Sequence, residues 1–317
     1  MSVLSSPHFH HEKAAYDYVE ARLWPDGPFC PHCGECERIG RLTGKSTRIG
    51  VRKCYSCRKP FTVKVGTVFE ASHVPMRHWL QAMFLMASSK KGVSANQLHR
   101  TLGCTLKTAW FIEHRIREAM TAGALAPFGS DGGAVEADET YIGVNPDKTR
   151  ARFGPAHKNA ILTILDRDTG RISSEVLENA PHELSKALVA KVSRKARLMT
   201  DQSPHYSRVG WTFSEHGAVN HGKGEYVSAE DPTVHINTVE GSFSIFKRGM
   251  KGVYQHCARK HLPRYLAEFD FRYSNRKALG VDDVTRADEA LRGVRGKRLT
   301  YQRVSARREG EEARVVW

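Results

Sequence analysis

The sequence lacks any long apolar stretch. No run of about eighteen apolar residues, the length needed to cross a membrane, occurs in it. Its first twenty residues, MSVLSSPHFHHEKAAYDYVE, also lack the cationic and apolar regions of a signal peptide. We therefore expect a cytoplasmic location.

Negative charge is scarce relative to positive charge. The 317 residues include 34 Asp and Glu but 49 Lys and Arg, which gives a formal net charge of +15. A large positive excess attracts polyanions and releases their condensed counterions on binding. The composition favours nucleic acid as a partner and the nucleoid as the place of action, and a merely basic soluble protein is the alternative.

The seven cysteines are not spread as a disulfide framework. Four form two C-x-x-C pairs, namely Cys30 with Cys33 and Cys54 with Cys57. Such pairs place four thiolates around one Zn²⁺ ion, and a segment this small and polar needs that link in order to fold. We predict a structural zinc ribbon over residues 27–70, after an N-terminal helix within residues 1–26. Cys36 is then a spare thiol or exchanges with Cys33.

Residues 71–125 show helical patterns. Ser94 and Thr105 are suitable N-caps, and Gly103 stands at the turn between the two helices concerned. Two short helices joined by a tight turn form a helix-turn-helix, whose second helix enters the DNA major groove. A helical hairpin that only supports the next domain is the alternative. In the DNA-binding interpretation, the residues available to DNA are Lys107, Thr108, His114, Arg115 and Arg117.

The rest of the chain changes from strand patterns to helices. After a linker of small residues come a strand in GAVEADETYIGV, a hairpin that turns at RDTG, a helix and a buried strand ending in Asp201. This order predicts an α/β domain with a mixed sheet over residues 133–280. Residues 281–317 carry many arginines but little apolar periodicity, so we expect a basic extension that touches nucleic acid nonspecifically.

The segment HINTVEGSFSIFKRG, residues 235–249, has a polar stripe. In a helix, Asn237, Glu240, Ser244 and Lys247 fall on one face because they are three, four and three residues apart. Taken alone, such a stripe is most simply a solvated helix face.

Three carboxylates stand where an α/β sheet can bring them together. Asp138 interrupts an apolar strand, Asp201 ends another strand, and Glu240 lies on the helix stripe. Oxygen ligands of this kind hold Mg²⁺, and two such ions can drive an in-line displacement at phosphorus. Each acid also has a plain structural alternative, as a surface residue or a turn cap. By strand alternation Glu136 shares the face of Asp138, and Glu139 takes the other face.

A family resemblance rests on these motifs in their order along the chain. The paired C-x-x-C motifs, the helical segment, EADETYIG, LMTD, HINTVEGSFSIFKRGMKGVYQH and KHLPRYLAEFDFRYSNR together resemble insertion-sequence transposases of the DDE superfamily. The similarity covers roughly residues 15–280 and is greatest to the subgroup that joins a zinc ribbon to an ISXO-like domain. It implies a ribonuclease H-like core that cuts and rejoins DNA with Mg²⁺ or Mn²⁺.

The resemblance also implies roles for individual residues. Asp138 would be the first metal ligand, Asp201 the second, and Lys247 the basic residue that follows the third ligand. The third ligand is either Asn237 or Glu240, which share a helix face. We favour Glu240, because it stands two turns before Lys247 and because a carboxylate supplies charge to Mg²⁺. Asn237 is then a neighbouring ligand or a DNA contact.

The function expected from this resemblance is that of a DNA transposase. Such an enzyme binds the terminal inverted repeats of its element, cuts the DNA and joins the freed 3′-hydroxyl to target DNA. Arg248 and Lys251 belong to a basic set that would line the DNA approach, and a dimer or larger assembly on DNA is expected. The alternatives are a catalytically inactive DNA-binding regulator and a structure-specific nuclease or resolvase of the same fold.

Overall fold

The computed structural model describes residues 2–123, 125–149, 154–178 and 180–300. The chain forms two units, of which one comprises Met1–Ser89, Val93–Thr121 and Asp282–Trp317, and the other Lys90–Gly92 and Ala122–Val281. None of the described helices is both long enough and apolar enough to cross a membrane.

The first unit begins with helix α1 (Glu12–Leu23). Ala15, Val19 and Leu23 recur every four residues and are buried, so one stripe of the helix faces the core. The helix ends before Pro25, which cannot continue a helical hydrogen-bond ladder.

Three short strands follow in the cysteine-rich segment. They are β1 (Ile39–Arg41), β2 (Arg52–Cys54) and β3 (Pro60–Phe61), and they form an antiparallel sheet in that order. The hydrophobic cluster at this sheet has three buried residues, Cys30, Cys54 and Phe61, with partly buried side chains such as Trp24 against them. A core this small agrees with a fold that depends on its cysteines.

Three helices come next, and their ends are those that the sequence indicates. They are α2 (Met76–Ser88), α3 (Ala95–Leu102) and α4 (Leu106–Met120). The Ser94 side chain accepts a hydrogen bond from the Gln97 N–H, and the Thr105 side chain accepts one from the Thr108 N–H. Gly103 has a φ of 65°, the left-handed conformation that ends a helix and favours glycine.

Part of the segment predicted to be a basic extension instead forms a helix in the first unit. Helix α9 spans Asp283–Arg292, and the Asp282 side chain caps it by accepting the Thr285 N–H. The Arg286 guanidinium donates to the carbonyl of Ala87, and the Val68 N–H donates to the carbonyl of Val294. Sequence periodicity missed this helix because few of its positions are apolar. The rest of the predicted extension, residues 301–317, lies outside the described residues.

The second unit is built on a five-stranded sheet in the order β6-β5-β4-β7-β8. The strands are β4 (Ala134–Ile142), β5 (Asn159–Asp166), β6 (Ile172–Leu177), β7 (Arg197–Asp201) and β8 (Glu215–Val219). β4, β5 and β6 pair in antiparallel fashion, whereas β7 runs parallel to both β4 and β8. The predicted mixed sheet is confirmed, and its hairpin turns at RDTG with Gly170 at a φ of 66°.

Helices cover both faces of this sheet. Helices α5 (Ala180–Lys191) and α6 (Pro204–Gly210) pack against the face that carries Val135 and Ala137. Helices α7 (Asn237–Gly249) and α8 (Leu262–Ser274) pack against the other face. Because side chains alternate along a strand, Glu136 and Asp138 belong to the face that α7 covers.

Candidate active site and zinc centre

The strand register brings Asp138 and Asp201 together. In the parallel pairing of β4 with β7, Glu136 is the partner of Met199. Two residues further along both strands stand Asp138 and Asp201, on the same face as that pair. The second of them is the last residue of its strand, so both residues stand near the end of the parallel pair. Crevices at the carboxyl ends of strands are where α/β sheets commonly bind ligands.

Glu240 approaches the pair from α7. It lies in the first turn of that helix, and its side chain is 39% exposed. Burial raises the pKa of Asp138 to about 8, and the negative charges of Asp201, Glu139 and Glu240 add to the rise. The charges of Asp201 and Glu240 thus both act on the Asp138 carboxylate. Their mutual repulsion is the kind that a bound cation relieves.

The donor chemistry at this site suits a hard divalent cation. Carboxylate oxygens are the ligands that Mg²⁺ and Mn²⁺ prefer. Within the described ranges, only the four cysteines form a His, Cys, Asp or Glu group whose ligand atoms all lie within 4.8 Å of one another. The three carboxylates are therefore spaced more widely than the ligands of one preformed cage.

Glu136 is a site residue whose role the sequence did not reveal. Its carboxylate is fully buried, accepts the N–H of Val239 in α7 at 2.8 Å and pairs with the Arg167 Nε at 2.6 Å. The same guanidinium donates to the carbonyls of Thr233, at 2.6 Å, and His235, at 2.5 Å. This network fixes the backbone before α7 and the first turn of the helix. Strand alternation had shown only that Glu136 faces the same way as Asp138.

The polar stripe predicted on α7 is present as a helix face. The apolar side chains Val239, Phe243 and Phe246 are buried on the other side of the helix. Asn237 is exposed at the first position of α7, one turn before Glu240. Lys247 is partly buried, and its Nζ lies 5.9 Å from the centre of the Phe243 ring.

His221 is a second neighbour of the site that the sequence did not indicate. Its Nε2 lies 3.7 Å from the Glu240 Oε1. The histidine follows strand β8, which lies beside β7 in the sheet. Its approach to Glu240 depends on that strand order, which a local sequence pattern does not reveal.

The structure corrects two of the predicted DNA contacts. Arg115 is 5% exposed, and its guanidinium donates to the backbone carbonyls of Val68, Glu70 and Leu299. Arg117 is fully buried and pairs with Glu113 at 3.2 Å. Buried carbonyls need donors, and arginine supplies several from one side chain. These two residues therefore act in the interior of the first unit, and His114 is buried with them. The predicted contacts that are exposed are Lys107, Arg248 and Lys251.

The four predicted zinc ligands lie together. The Sγ atoms of Cys30 and Cys57 are 3.6 Å apart, and those of Cys33 and Cys54 are 3.7 Å apart. Zn–S bonds of about 2.3 Å in a tetrahedron separate sulfur atoms by about 3.8 Å, so these residues fit Zn²⁺. Cys36 is outside the cluster and exposed, and its thiol donates to the carbonyl of Gly34.

Comparison with known proteins relates two parts of the chain to transposase domains. The chain matches the ISXO2-like transposase domain over residues 131–274 and the transposase zinc-ribbon domain over residues 10–60. It is also similar to a protein of Halobacterium salinarum described as an uncharacterized protein in transposable element ISH50. The two are 27% identical over 283 residues, which cover 83% of this chain and 91% of the relative.

Proposed function

Because the chain belongs to the insertion-sequence transposases that carry a zinc ribbon and an ISXO2-like domain, we propose that it catalyses DNA cleavage and strand transfer. It would bind the terminal inverted repeats of its own element and join the freed 3′-hydroxyl to target DNA. The observation that supports this proposal is the parallel register of β4 with β7, in which Asp138 and Asp201 each stand two residues beyond the paired Glu136 and Met199.

We also propose that the second unit is a ribonuclease H-like core. Its first three strands form an antiparallel meander, its last two run parallel to the first, and helices lie on both faces. This arrangement supports a site built from carboxylates at a sheet edge and on a covering helix.

Asp138, Asp201 and Glu240 would hold divalent ions. When bound there, Mg²⁺ or Mn²⁺ supplies Lewis-acid stabilisation of the phosphate and lowers the pKa of the attacking hydroxyl or water. The protein's own task is to bring three carboxylates to one place and keep them ionised when DNA and metal are present. Burial of the Asp138 carboxyl, and then its negative neighbours, raise its pKa in the metal-free protein, and a bound cation would offset both effects.

Glu240 is our assignment for the third ligand. The negative charge of Glu240 contributes to the raised pKa of Asp138, whereas Asn237 is an exposed residue one turn earlier. Asn237 would then contact DNA or act as a neighbouring ligand. Lys247, two turns along the same face, would offset charge on a phosphate oxygen.

The exposed basic residues would bind DNA along its backbone. Lys107 lies in the first unit, and Arg248 and Lys251 lie at and beyond the end of α7 in the second. Contacts of this kind orient a duplex without reading its sequence. Two element ends must be joined in one reaction, so we propose a dimer or larger assembly on DNA, formed at the nucleoid.

A joining assay tests this function. The full-length protein is incubated with Mg²⁺ or Mn²⁺, a duplex that carries the inverted repeats flanking the gene, and a supercoiled target plasmid. Covalent joining of the repeat 3′ end to the plasmid is the expected result. Tight binding with no cleavage would instead identify a regulator, and preferred cleavage of a branched junction would identify a resolvase.

A further inference from the structure

The two C-x-x-C turns of the zinc ribbon have the same backbone. In the first, the Cys30 N–H donates to the carbonyl of Glu35 five residues on, and in the second the Cys54 N–H donates to the carbonyl of Lys59. The residue after the second cysteine of each turn is left-handed. It is Gly34 in the first turn, with a φ of 79°.

In the second turn the left-handed position is occupied by Arg58, with a φ of 62°. A residue with a Cβ is strained in this region, and glycine adopts it freely. Arg58 is exposed, and it forms no ion pair or side-chain hydrogen bond with the part of the chain that the structure describes. The fold therefore gains nothing visible from an arginine at a position that suits glycine. Strain of this kind often marks a functional residue.

The charged residues that close the two turns also differ in role. In the first turn, the Glu35 carboxylate accepts the N–H groups of Cys36, at 3.0 Å, and Glu37, at 2.9 Å, and also the Ser56 hydroxyl. The first turn thus uses its charged residue to close its own backbone. In the second turn the equivalent residue is Lys59, which is exposed.

Tyr55 adds a third exposed group to the second turn. Its side chain is 50% exposed, although its backbone N–H is held by the carbonyl of Arg38 at 2.8 Å. A hydroxyl, a guanidinium and an ammonium thus stand within five residues on one rigid turn. We define Tyr55, Arg58 and Lys59 as the basic knuckle.

We propose that the basic knuckle binds the phosphate backbone of duplex DNA, and that Arg58 occupies a strained position because its guanidinium is needed there. The inference rests on the DNA-binding part of the proposed function. A guanidinium binds a phosphate through two parallel hydrogen bonds, and tyrosine and lysine donate to further phosphate oxygens. A turn fixed by metal ligands holds these donors in place and so lowers the entropy lost on binding.

A competing explanation is that Arg58 serves the zinc site. Four thiolates around Zn²⁺ carry a net charge of −2, which a nearby guanidinium could offset. In that case, loss of the arginine would weaken zinc binding rather than DNA binding. The two explanations therefore predict different results for one substitution.

The test compares Arg58→Gly with the unaltered full-length protein, both loaded with zinc. Affinity for a 30-bp duplex is measured by fluorescence anisotropy at several salt concentrations. We expect the Kd to rise about 3- to 10-fold. The slope of log K against log salt should become less steep by about 0.9, the value for one phosphate contact. Zinc content should be unchanged. The Tm should be unchanged or higher, because glycine relieves the backbone strain. Arg58→Lys, which keeps the charge but not the paired donors, should fall between the two.

Lys45→Gly is the matched control, since it removes one exposed positive charge elsewhere on the ribbon. Equal loss of affinity in this control would show that Arg58 contributes only its positive charge, and would overturn the proposal. Unchanged DNA affinity, or loss of zinc, in Arg58→Gly would also overturn it. The joining assay on the unaltered protein separates the two hypotheses. If it joins DNA but Arg58→Gly binds normally, only the basic knuckle is wrong; if it fails to join DNA, the catalytic function is wrong.

Discussion

The backbone N–H of Val239 donates a hydrogen bond to the buried carboxylate of Glu136, 2.8 Å away. The bond joins strand β4 to the first turn of α7, one residue before Glu240. It therefore links the element that carries Asp138 to the element that carries the proposed third ligand. Arg167 completes the link by pairing with the same carboxylate. We therefore expect Glu136 to act as a positioning residue for the proposed carboxylate site.

Glu136→Gln should lower both stability and activity. The amide oxygen can still accept from Val239, but Arg167 loses its carboxylate partner and keeps its carbonyl partners. We expect a loss of about 1–3 kcal/mol in the free energy of unfolding, measured by urea titration. Cleavage should fall more than DNA affinity, because α7 is less well positioned.

The matched control for that change is Glu215→Gln. Glu215 pairs with Arg197 at 2.6 Å, but both side chains are at least one third exposed. An exposed pair of this kind contributes about 0–1 kcal/mol. If the two substitutions cost the same, Glu136 has no special place in the fold.

Asp138→Asn should stabilise the metal-free protein at pH 8. The folded-state pKa of Asp138 is raised to about 8 from an ordinary 3.8, so the folded protein keeps a proton that the unfolded chain has lost. Stability therefore falls as the pH rises between about 4 and 8, and the penalty is complete above that range. The amide removes the penalty, and a gain of about 1 kcal/mol corresponds to roughly 2–4 °C in Tm.

Bound metal ions should make the unaltered protein more stable than Asp138→Asn. Mg²⁺ or Mn²⁺ should raise the Tm of the unaltered protein, more at pH 8 than at pH 6, because protons compete with metal for Asp138. Asp138→Asn should respond little. A variant that gains as much from Mn²⁺ as the unaltered protein would show that Asp138 is not a ligand.

Cys30→Ser together with Cys54→Ser should remove the structural zinc. The two changes take one thiolate from each C-x-x-C turn, and the small core around Phe61 cannot hold the ribbon without them. Elemental analysis after gel filtration should find about one zinc per unaltered chain and none in the double variant. Cys36→Ser is the control and should keep its zinc, and equal loss there would place Cys36 in the site.

Arg115→Ala should lower stability, whereas Lys107→Ala should weaken DNA binding. The first leaves the carbonyls of Val68 and Glu70 without their donor, so it should cost about 1–3 kcal/mol of stability. The second removes an exposed charge and should leave the Tm unchanged while reducing the salt dependence of DNA binding. Urea unfolding and anisotropy measure the two effects, and the reverse pattern would restore Arg115 as a DNA contact.

Features encoded over a few residues could be predicted from the sequence. The caps at Ser94 and Thr105, the cysteine pairs and the stripe on α7 depend on local spacing and backbone preference. The strands that carry Asp138 and Asp201 were found because an acid stands out in an apolar strand or at its end.

Features encoded by distant contacts could not be predicted. Glu136 and Val239 are 103 residues apart, and Arg115 and the Leu299 carbonyl are 184 residues apart. Nothing in the local pattern shows that a charge in the middle of α4 will turn inward to satisfy backbone carbonyls. A charged residue on a helix is usually solvated, so the expectation that Arg115 faces DNA was reasonable and wrong.

The most direct test of the carboxylate site is the rate at which variants cut a duplex carrying the inverted repeats, with Mg²⁺ or Mn²⁺ at saturating protein. Asp138→Asn, Asp201→Asn and Glu240→Gln should each lower the single-turnover rate by at least about 100-fold while DNA affinity is kept. Asn237→Ala should keep most of the rate. A Glu240→Gln protein that cuts normally beside an inactive Asn237→Ala protein would contradict the assignment, and normal cutting by Asp138→Asn would contradict the whole site.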